Sequence, residues 1–259
     1  MCYTARENKG GDGMDPAAFA RACDWAAAHR GTGGIGTLGE KSLHAALKYY
    51  FEPCPENHEQ PLGGFVADAV GENGVIEIQS RSLFKLIPKL DAFLEACPVT
   101  VVHPLVGKKW VAWYEPDGTQ VSRRRAPGRS RLTDAVPELY ALKYMLDNPR
   151  FHFCICVVEA VEQRLLDGYG KDRKHRSTRL DRIPLGLLEE VHFDCPADYL
   201  QLLPPDAPEM FGSREIAQAG HMPLDTARML LNLLCYLELI RPAEKRGNAK
   251  YYRRAGDAL

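Results

Sequence analysis

The chain has 259 residues, of which 45% are hydrophobic and 26% charged, the proportions of a folded globular protein. Its 34 acids and 33 bases nearly cancel, which excludes a wholly basic nucleic-acid coat, so any nucleic-acid site must come from local clusters. No apolar run approaches the ~20 residues that span a bilayer, and the N-terminus lacks the apolar core of a secretory signal. Eight cysteines without a CxxC pair favour free thiols. We therefore expect a cytoplasmic protein with no membrane partner.

The order of predicted elements indicates an α/β protein. Asp15 and Pro16 begin an alanine-rich helix, and the turn Gly-Glu-Asn-Gly separates two short strands that form a hairpin. Near-continuous apolar runs favour a central sheet covered on both faces. The predicted helices cover residues 15–29, 39–51, 83–96 and 134–147, and the predicted strands cover 64–70, 74–80, 99–105, 108–115 and 152–161. Residues 53–63 are predicted to form a loop, and residues 162–182 a basic loop or an exposed helix.

Carboxylates stand within the apolar hairpin. Asp68 lies in its first strand, and Glu77 and Gln79 lie two apart in the second, so these last two side chains leave the same face. A charged residue in such a strand is costly unless it is paired or binds a cation, and oxygen ligands suit Mg²⁺. Glu40, on the predicted helix 39–51, shares a face with apolar residues and adds a third carboxylate. The alternative for Glu40 is an exposed first-turn acid favoured by the helix dipole.

This arrangement resembles the PD-(D/E)XK nuclease superfamily over roughly residues 38–160. The resemblance rests on a helical Glu40, then Asp68-x8-Glu77-x-Gln79 on a hairpin, then a helix. The superfamily usually has lysine at the last position, and the glutamine here is a departure that also occurs in some type II restriction endonucleases. The whole chain also resembles uncharacterised bacterial proteins with a nuclease-like domain and a C-terminal winged helix. The resemblance implies a restriction-endonuclease-like mixed central sheet flanked by helices.

The resemblance also implies a metal site. Asp68, Glu77 and the backbone carbonyl of Ile78 would hold Mg²⁺, for which Mn²⁺ can substitute. Glu40 would contact one of these ligands or bind a second metal ion. Gln79 would orient a metal-bound water, but it cannot supply the positive charge of the usual lysine.

Three residues near the hairpin are weaker candidates. Lys85 or Lys89, on the next predicted helix, could replace the missing lysine, and the alternative for each is a solvated side chain. Glu59, just before the first strand, is explained equally well as an exposed loop acid. His103 is expected to be a core or strand-end histidine with satisfied hydrogen bonds rather than a metal ligand.

Two basic clusters suit a phosphate backbone. Arg123, Arg124 and Arg125 lie in a loop that contains proline and glycine, and Lys174 and Arg176 belong to a second cluster within residues 171–182. The alternative is a solvated charged surface.

Residues 211–254 resemble a winged helix-turn-helix. A short helix, a tight turn and a helix from about 224 to 238 precede a basic two-stranded wing. Thr226, Arg228 and Asn232 are expected to face a DNA groove, and Lys245 and Arg246 to touch phosphate. The alternative is a module that binds protein or dimerises.

Together these patterns predict three segments. Residues 1–33 are a disordered N-terminus and a helix, residues 34–205 a PD-(D/E)XK nuclease-like domain, and residues 206–259 a winged helix-turn-helix domain. The leading hypothesis is a Mg²⁺-dependent DNA endonuclease that the winged helix positions on duplex DNA. The alternative is a catalytically inactive DNA-binding regulator with a nuclease fold, or a subunit of a larger defence or repair assembly. A homodimer is plausible for double-strand cutting.

Overall fold

The computed structural model describes residues 14–29, 41–169 and 176–256 and shows a mixed α/β protein. A large mixed sheet of seven strands is flanked by helices. Its strands are β1 (His58–Leu62), β2 (Phe65–Gly71), β3 (Gly74–Ile78), β4 (Val99–Tyr114), β5 (Gln120–Arg125), β6 (Phe151–Leu165) and β7 (Thr178–Phe193). The order is β1-β2-β3-β4-β6-β7, and β5 pairs with β4.

The described residues also form six α-helices, five short 3₁₀ helices and a separate two-stranded sheet. The α-helices are α1 (Pro16–Ala28), α2 (Ser42–Phe51), α3 (Ile87–Ala96), α4 (Val136–Ala141), α5 (Ser213–Ala219) and α6 (Leu224–Tyr236). The small sheet pairs β8 (Ile240–Arg246) with β9 (Ala249–Arg254). None of the helices in these described ranges combines the length and the apolar composition needed to cross a membrane.

The chain divides into two compact units, each built from separated segments. The first comprises Met1–Ile78, Pro104–Ser130 and Cys156–Glu190, and the second comprises the remaining residues. The two units are described separately below. The predicted domain boundaries after residues 33 and 205 stay predictions.

The N-terminal helix of the first unit follows the predicted pattern. The Asp15 side chain accepts a hydrogen bond from the Ala18 backbone N at 2.8 Å and so caps α1. Phe19 of α1 is fully buried and meets the Tyr50 ring of α2 edge to face, with ring centroids 5.4 Å apart. The apolar faces of α1 and α2 therefore pack on each other.

The predicted hairpin around the Gly-Glu-Asn-Gly turn is confirmed. Strands β2 and β3 pair antiparallel, with Gly71 opposite Gly74 and Ala69 opposite Ile76. Gly74 has a φ of +108°, a conformation that a residue with a Cβ rarely adopts. The turn thus sets the register of the two strands that carry Asp68 and Glu77.

Several predicted loops are strands instead. Residues 58–62, predicted as loop, form β1, which tolerates Pro61 because it lies at the edge of the sheet. The stretch 162–182 was predicted as loop or helix, but β6 continues to Leu165 and β7 begins at Thr178. The three arginines at 123–125 lie on β5 rather than in a loop. Polar strands of this kind lack the apolar runs from which strands were predicted.

Ion pairs across β6 and β7 explain why polar residues continue these strands. Glu162 of β6 is 3% exposed and lies between two arginines, with its oxygens 2.7 Å from Arg164 Nη2 and 3.4 Å from Arg182 Nε. Burial raises the pKa of Glu162, but the hydrogen bond from Arg164 and the charges of Lys109, Arg164 and Arg182 outweigh it, so the pKa is lowered. A carboxylate that is charged in the interior of the first unit is thus balanced locally.

Gly107 explains why one strand replaces the two predicted at 99–105 and 108–115. A Cβ on Gly107 would lie 2.5 Å from Val157 Cγ1 and 3.3 Å from Leu188 Cδ1. The side chains of Val157 and Leu188 occupy the space beside Gly107, and strand β4 continues through this glycine without a break.

We expect Gly107→Ala to lower the free energy of unfolding by about 1–3 kcal/mol through overpacking. The measurement is urea unfolding followed by circular dichroism. Gly186→Ala is the matched control, since this strand glycine has no atom within 4 Å of an added Cβ. Equal stability of the two variants would contradict the close packing of Gly107.

The second unit contains α3 to α6 and the small sheet. The predicted helix 134–147 is shorter than expected: α4 covers Val136–Ala141 between two 3₁₀ turns.

His103 is confirmed as a core histidine, since it is 3% exposed and its Nδ1 lies 2.8 Å from the Gln79 carbonyl. Burial lowers the pKa of His103 and so favours its neutral form.

Candidate functional site

The centre of the candidate site is a pair of carboxylates on the β2–β3 hairpin, Asp68 and Glu77. The paired register runs up to Ala69 opposite Ile76, and Asp68 and Glu77 are the next residues on their strands. Beyond that pair, side-chain-to-backbone hydrogen bonds link the two strands. Glu77 is 2% exposed, and the side chain of Asp68 is 18% exposed. The two carboxylates that the sequence singled out are therefore brought together.

Backbone hydrogen bonds fix both carboxylates. Asp68 Oδ2 accepts a hydrogen bond from the Ile78 backbone N at 2.8 Å. In return, Glu77 Oε1 accepts one from the Asp68 backbone N at 3.1 Å. Because each bond crosses between the two strands, the side chains are held in one orientation, which suits a preorganised ligand pair.

Strand β1 adds a third acid to this row. The pairs His58–Ala69 and Gln60–Ala67 place Glu59 beside Asp68 on the neighbouring strand. Glu59 has a φ of +52°, so its backbone departs from regular strand geometry at this point. We call Glu59, Asp68 and Glu77 the acidic row. Glu59, a weak candidate from the sequence, thus lies on the strand next to the central pair.

Helix α2 supplies two basic side chains to the acidic row. His44 Nε2 lies 3.2 Å from Asp68 Oδ2, and since a carboxylate only accepts, that nitrogen carries the proton. One turn later, the Lys48 ammonium bonds the Glu59 carboxylate. Lys48 is only 3% exposed, which is rare for lysine and requires a local counter-charge. The residue pattern did not single out this pair, although a histidine and a lysine four apart on an apolar helix face were a usable signal.

The start of α2 is set by distant residues rather than by its own sequence. Asp181 of β7 accepts hydrogen bonds from the Ser42 hydroxyl at 2.6 Å and the Ser42 backbone N at 3.2 Å. This carboxylate caps α2, which begins at Ser42; the predicted start at residue 39 lies outside the described residues. Glu40 lies outside the described residues, and its predicted role as a ligand stays a prediction.

The donor set of the acidic row fits a hard divalent cation. Its side chains offer carboxylate oxygens, the type of donor that Mg²⁺ prefers. Among the residues described, Asp68 and Glu77 have no third carboxylate, histidine or cysteine with ligand atoms within 4.8 Å of both. Mg²⁺ usually keeps several waters and binds through one or two carboxylates, so a two-carboxylate site is sufficient.

Two further predicted site residues belong to the second unit. The Gln79 backbone N donates to the Val102 carbonyl at 2.9 Å, which fixes the main chain at this residue. The Lys89 ammonium lies 5.6 Å from the Phe93 ring centroid. Their predicted roles toward the metal and the attacking water stay predictions.

The predicted DNA-contacting residues are mostly exposed. Arg123, Arg124 and Arg125 lie on β5, whose six residues are all exposed. Arg176 is exposed with a φ of +33°, and Lys174 lies outside the described residues.

Helix α6 and the β8–β9 hairpin place the remaining predicted contacts. On α6, Thr226 is half-buried and Arg228 pairs with Asp225 at 2.9 Å. Lys245 and Arg246 are exposed on β8, and the Arg246 guanidinium lies 4.6 Å from the Tyr251 ring centroid.

Asn232, predicted to face a DNA groove, has a partner within the second unit. Its Oδ1 accepts a hydrogen bond from Lys143 Nζ at 3.2 Å. The same ammonium lies 5.6 Å from the Tyr236 ring centroid, one turn further along α6. This face of α6 is thus covered in part by the chain itself.

A cysteine–histidine pair in the second unit was not predicted. Cys154 Sγ lies 3.9 Å from His192 Nε2, and both residues lie on strands, β6 and β7. Thiolate and imidazole are ligands of softer metals than Mg²⁺. The pair therefore lends no support to the Mg²⁺ expected at the acidic row.

The comparisons with known proteins concern the segment that carries this site. A family model described as a domain of unknown function, DUF8091, matches residues 41–194, which is more than half of the chain. The chain belongs to the DUF8091 family. The DUF8091 segment includes the whole acidic row with His44 and Lys48, and it excludes α1, α5 and α6.

One curated relative extends the similarity beyond the DUF8091 segment. It is an uncharacterised protein of Treponema pallidum (strain Nichols), 28% identical over 224 residues. The match covers 85% of this chain and 87% of that protein. No solved structure matches the chain.

Proposed function

We propose that the protein is a divalent-metal-dependent hydrolase of nucleic-acid phosphodiester bonds. The observation that carries the proposal is the pair Asp68 and Glu77, whose carboxylates are held on the β2–β3 hairpin by reciprocal hydrogen bonds to backbone N–H groups of the other strand. The resemblance of the segment Asp68-x8-Glu77-x-Gln79 to the PD-(D/E)XK nucleases gives the reaction class.

The chain's own residues have distinct roles in this proposal. Asp68, Glu77 and the Ile78 carbonyl would hold Mg²⁺, which would supply a water of lowered pKa and offset charge on the phosphate. His44 and the Ile78 N–H hold Asp68 Oδ2 in place, so His44 is a positioning residue. Lys48 is buried beside the acidic row and supplies a fixed positive charge that Gln79 lacks.

A second candidate is a nucleic-acid-binding protein without catalytic activity. It is favoured by the basic partners of the acidic row: His44 lies on Asp68, and Lys48 pairs with Glu59. A row whose acids are already partly paired with the chain's own basic groups has less need of a metal. The two candidates differ in whether added metal changes the nucleic acid.

The test is incubation of the full chain with supercoiled plasmid and with a folded RNA, in Mg²⁺, in Mn²⁺ or in EDTA. We expect nicked or linear products with either metal and none with EDTA, because the carboxylates alone cannot activate water. Salt-sensitive binding without strand breaks in any of these conditions would reject the hydrolase and support the second candidate.

A further inference from the structure

The β4–β5 hairpin of the first unit is a strongly basic surface that the proposed chemistry does not use. Residues 104–130 carry six bases and two acids, a net charge of +4. Both acids, Glu115 and Asp117, lie at the turn that joins the strands. The Asp117 carboxylate accepts a hydrogen bond from the Thr119 backbone N at 2.8 Å, which lowers its pKa and fixes it within the turn. The strands themselves therefore carry only positive charge.

Two arginines of this hairpin stack on tryptophan rings. The Arg123 guanidinium lies 5.3 Å from the Trp110 ring centroid, and the Arg124 guanidinium lies 4.7 Å from that of Trp113. Ala112 faces Arg123 and Val111 faces Arg124 in the register, so the two stacked pairs project from opposite faces of the hairpin. Each pair is thus diagonal across the two strands.

Contact with the ring restrains each guanidinium, and an indole face engages its charge without using up its N–H donors. Within the described residues, no carboxylate lies within 4.0 Å of Arg123 or Arg124, whereas Lys108 pairs with Glu159 at 2.9 Å. A fixed guanidinium with its donors exposed matches a phosphate, which it can bind through two parallel hydrogen bonds. Lys108, in contrast, is held by the protein itself.

A second contact makes the Trp110 platform rigid. The Trp110 Nε1–H donates to Glu159 Oε1 at 2.6 Å, and this bond, with that from Lys108, lowers the pKa of Glu159. The indole is therefore oriented by a charged acceptor before any ligand binds. Such preorganisation reduces the entropy that binding would otherwise lose.

From these contacts we propose that the β4–β5 hairpin binds the phosphate backbone of a nucleic acid through Arg123 on one face and Arg124 on the other, independently of base sequence. The proposal rests on the proposed function for the identity of the polyanion and adds the surface that holds the substrate. Arg125, opposite Trp110 in the register, contributes further positive charge to the same strand.

The experiment measures binding in EDTA, so that cleavage plays no part. Fluorescence anisotropy of a labelled duplex DNA and of the corresponding RNA is followed for the full chain at several NaCl concentrations. For Arg123→Gln/Arg124→Gln we expect affinity at least about tenfold lower and a salt slope smaller by about two, because two phosphate contacts are lost. The control Arg21→Gln/Arg81→Gln removes the same charge from exposed arginines elsewhere and is expected to change affinity less than about twofold.

A third variant separates charge from geometry. Arg123→Lys/Arg124→Lys keeps the charge but loses the stacked planar donors, so we expect the salt slope to be retained while affinity falls. Equal effects of the hairpin and control glutamine variants would overturn the proposal. So would binding of polyglutamate that matches the nucleic acid in affinity and in sensitivity to the variants. Because the readout is binding, the proposal can fail while plasmid cleavage succeeds, and the reverse also holds.

Discussion

Asp68→Asn is expected to reduce metal-dependent cleavage at least about a hundredfold. The amide cannot carry the negative charge that holds the cation, and a loss of several kcal/mol of electrostatic stabilisation corresponds to this factor. Glu77→Gln should have a similar effect, because its carboxylate lies beside Asp68 and accepts a hydrogen bond from the Asp68 backbone N across the hairpin. The measurement is the initial rate of plasmid nicking in Mg²⁺, together with the thermal melting of each variant.

The control for these variants lies on the same hairpin. Glu72 is exposed at the turn between β2 and β3, and Glu72→Gln removes one carboxylate without touching the acidic row. We expect it to cleave at the rate of the unmodified protein. If Asp68→Asn folds normally and retains that rate as well, the pair of Asp68 and Glu77 is not the metal site and the proposed chemistry is wrong.

The largest effect on stability is expected for Glu162→Gln, with a loss of about 3 kcal/mol in the free energy of unfolding. Removal of one partner from a buried ion pair typically costs 3–5 kcal/mol. We expect a cost at the lower end of this range because Arg164 and Arg182 keep 27% and 29% of their side-chain surface exposed, so water can solvate them when Glu162 is replaced. Urea unfolding at pH 7 measures the loss, and Glu115→Gln, at an exposed turn, should change stability by less than about 0.5 kcal/mol.

Acidification provides a second check on Glu162. The pKa of Glu162 is lowered in the folded protein. The charged side chain therefore makes its full contribution to the free energy of unfolding above the pKa of this glutamate in the unfolded chain, about 4.3. That contribution is lost as the pH falls through the pKa of Glu162 in the folded protein. The difference in stability between the unmodified protein and Glu162→Gln should therefore shrink on acidification below about pH 4. A difference that stays constant down to pH 2 would show that the charge of Glu162 contributes nothing.

Local sequence signals predicted the centre of the site because its geometry is itself local. Asp68 and Glu77 lie on either side of a short turn, and the glycines of that turn indicate a hairpin. A hairpin with a short turn brings the two residues close to each other. No such rule links α2 to the hairpin. The contacts of His44 with Asp68 and of Lys48 with Glu59 depend on how a helix packs on a sheet, which residue spacing does not specify.

The missed strands share a physical cause. Strand β5 consists of exposed residues. Its residues Arg123 and Arg124 contact Trp110 and Trp113 and are not buried. Strand β6 extends past the predicted end at residue 161 because Glu162 is buried with two arginine partners. Hydrophobic periodicity detects burial of apolar surface. It does not predict strands that are stabilised by arginine–tryptophan contacts or by ion pairs.

The contact of Ser42 with Asp181 has a consequence for biosynthesis. Asp181 caps α2 although it lies 139 positions after Ser42. Two further hydrogen bonds join the same regions, from Lys41 to the Leu180 carbonyl and from Tyr50 to Glu190. A nascent chain that has emerged only as far as β6 carries every member of the acidic row but not the partners that anchor its helix. The site should therefore be completed late on the ribosome, once translation has passed β7.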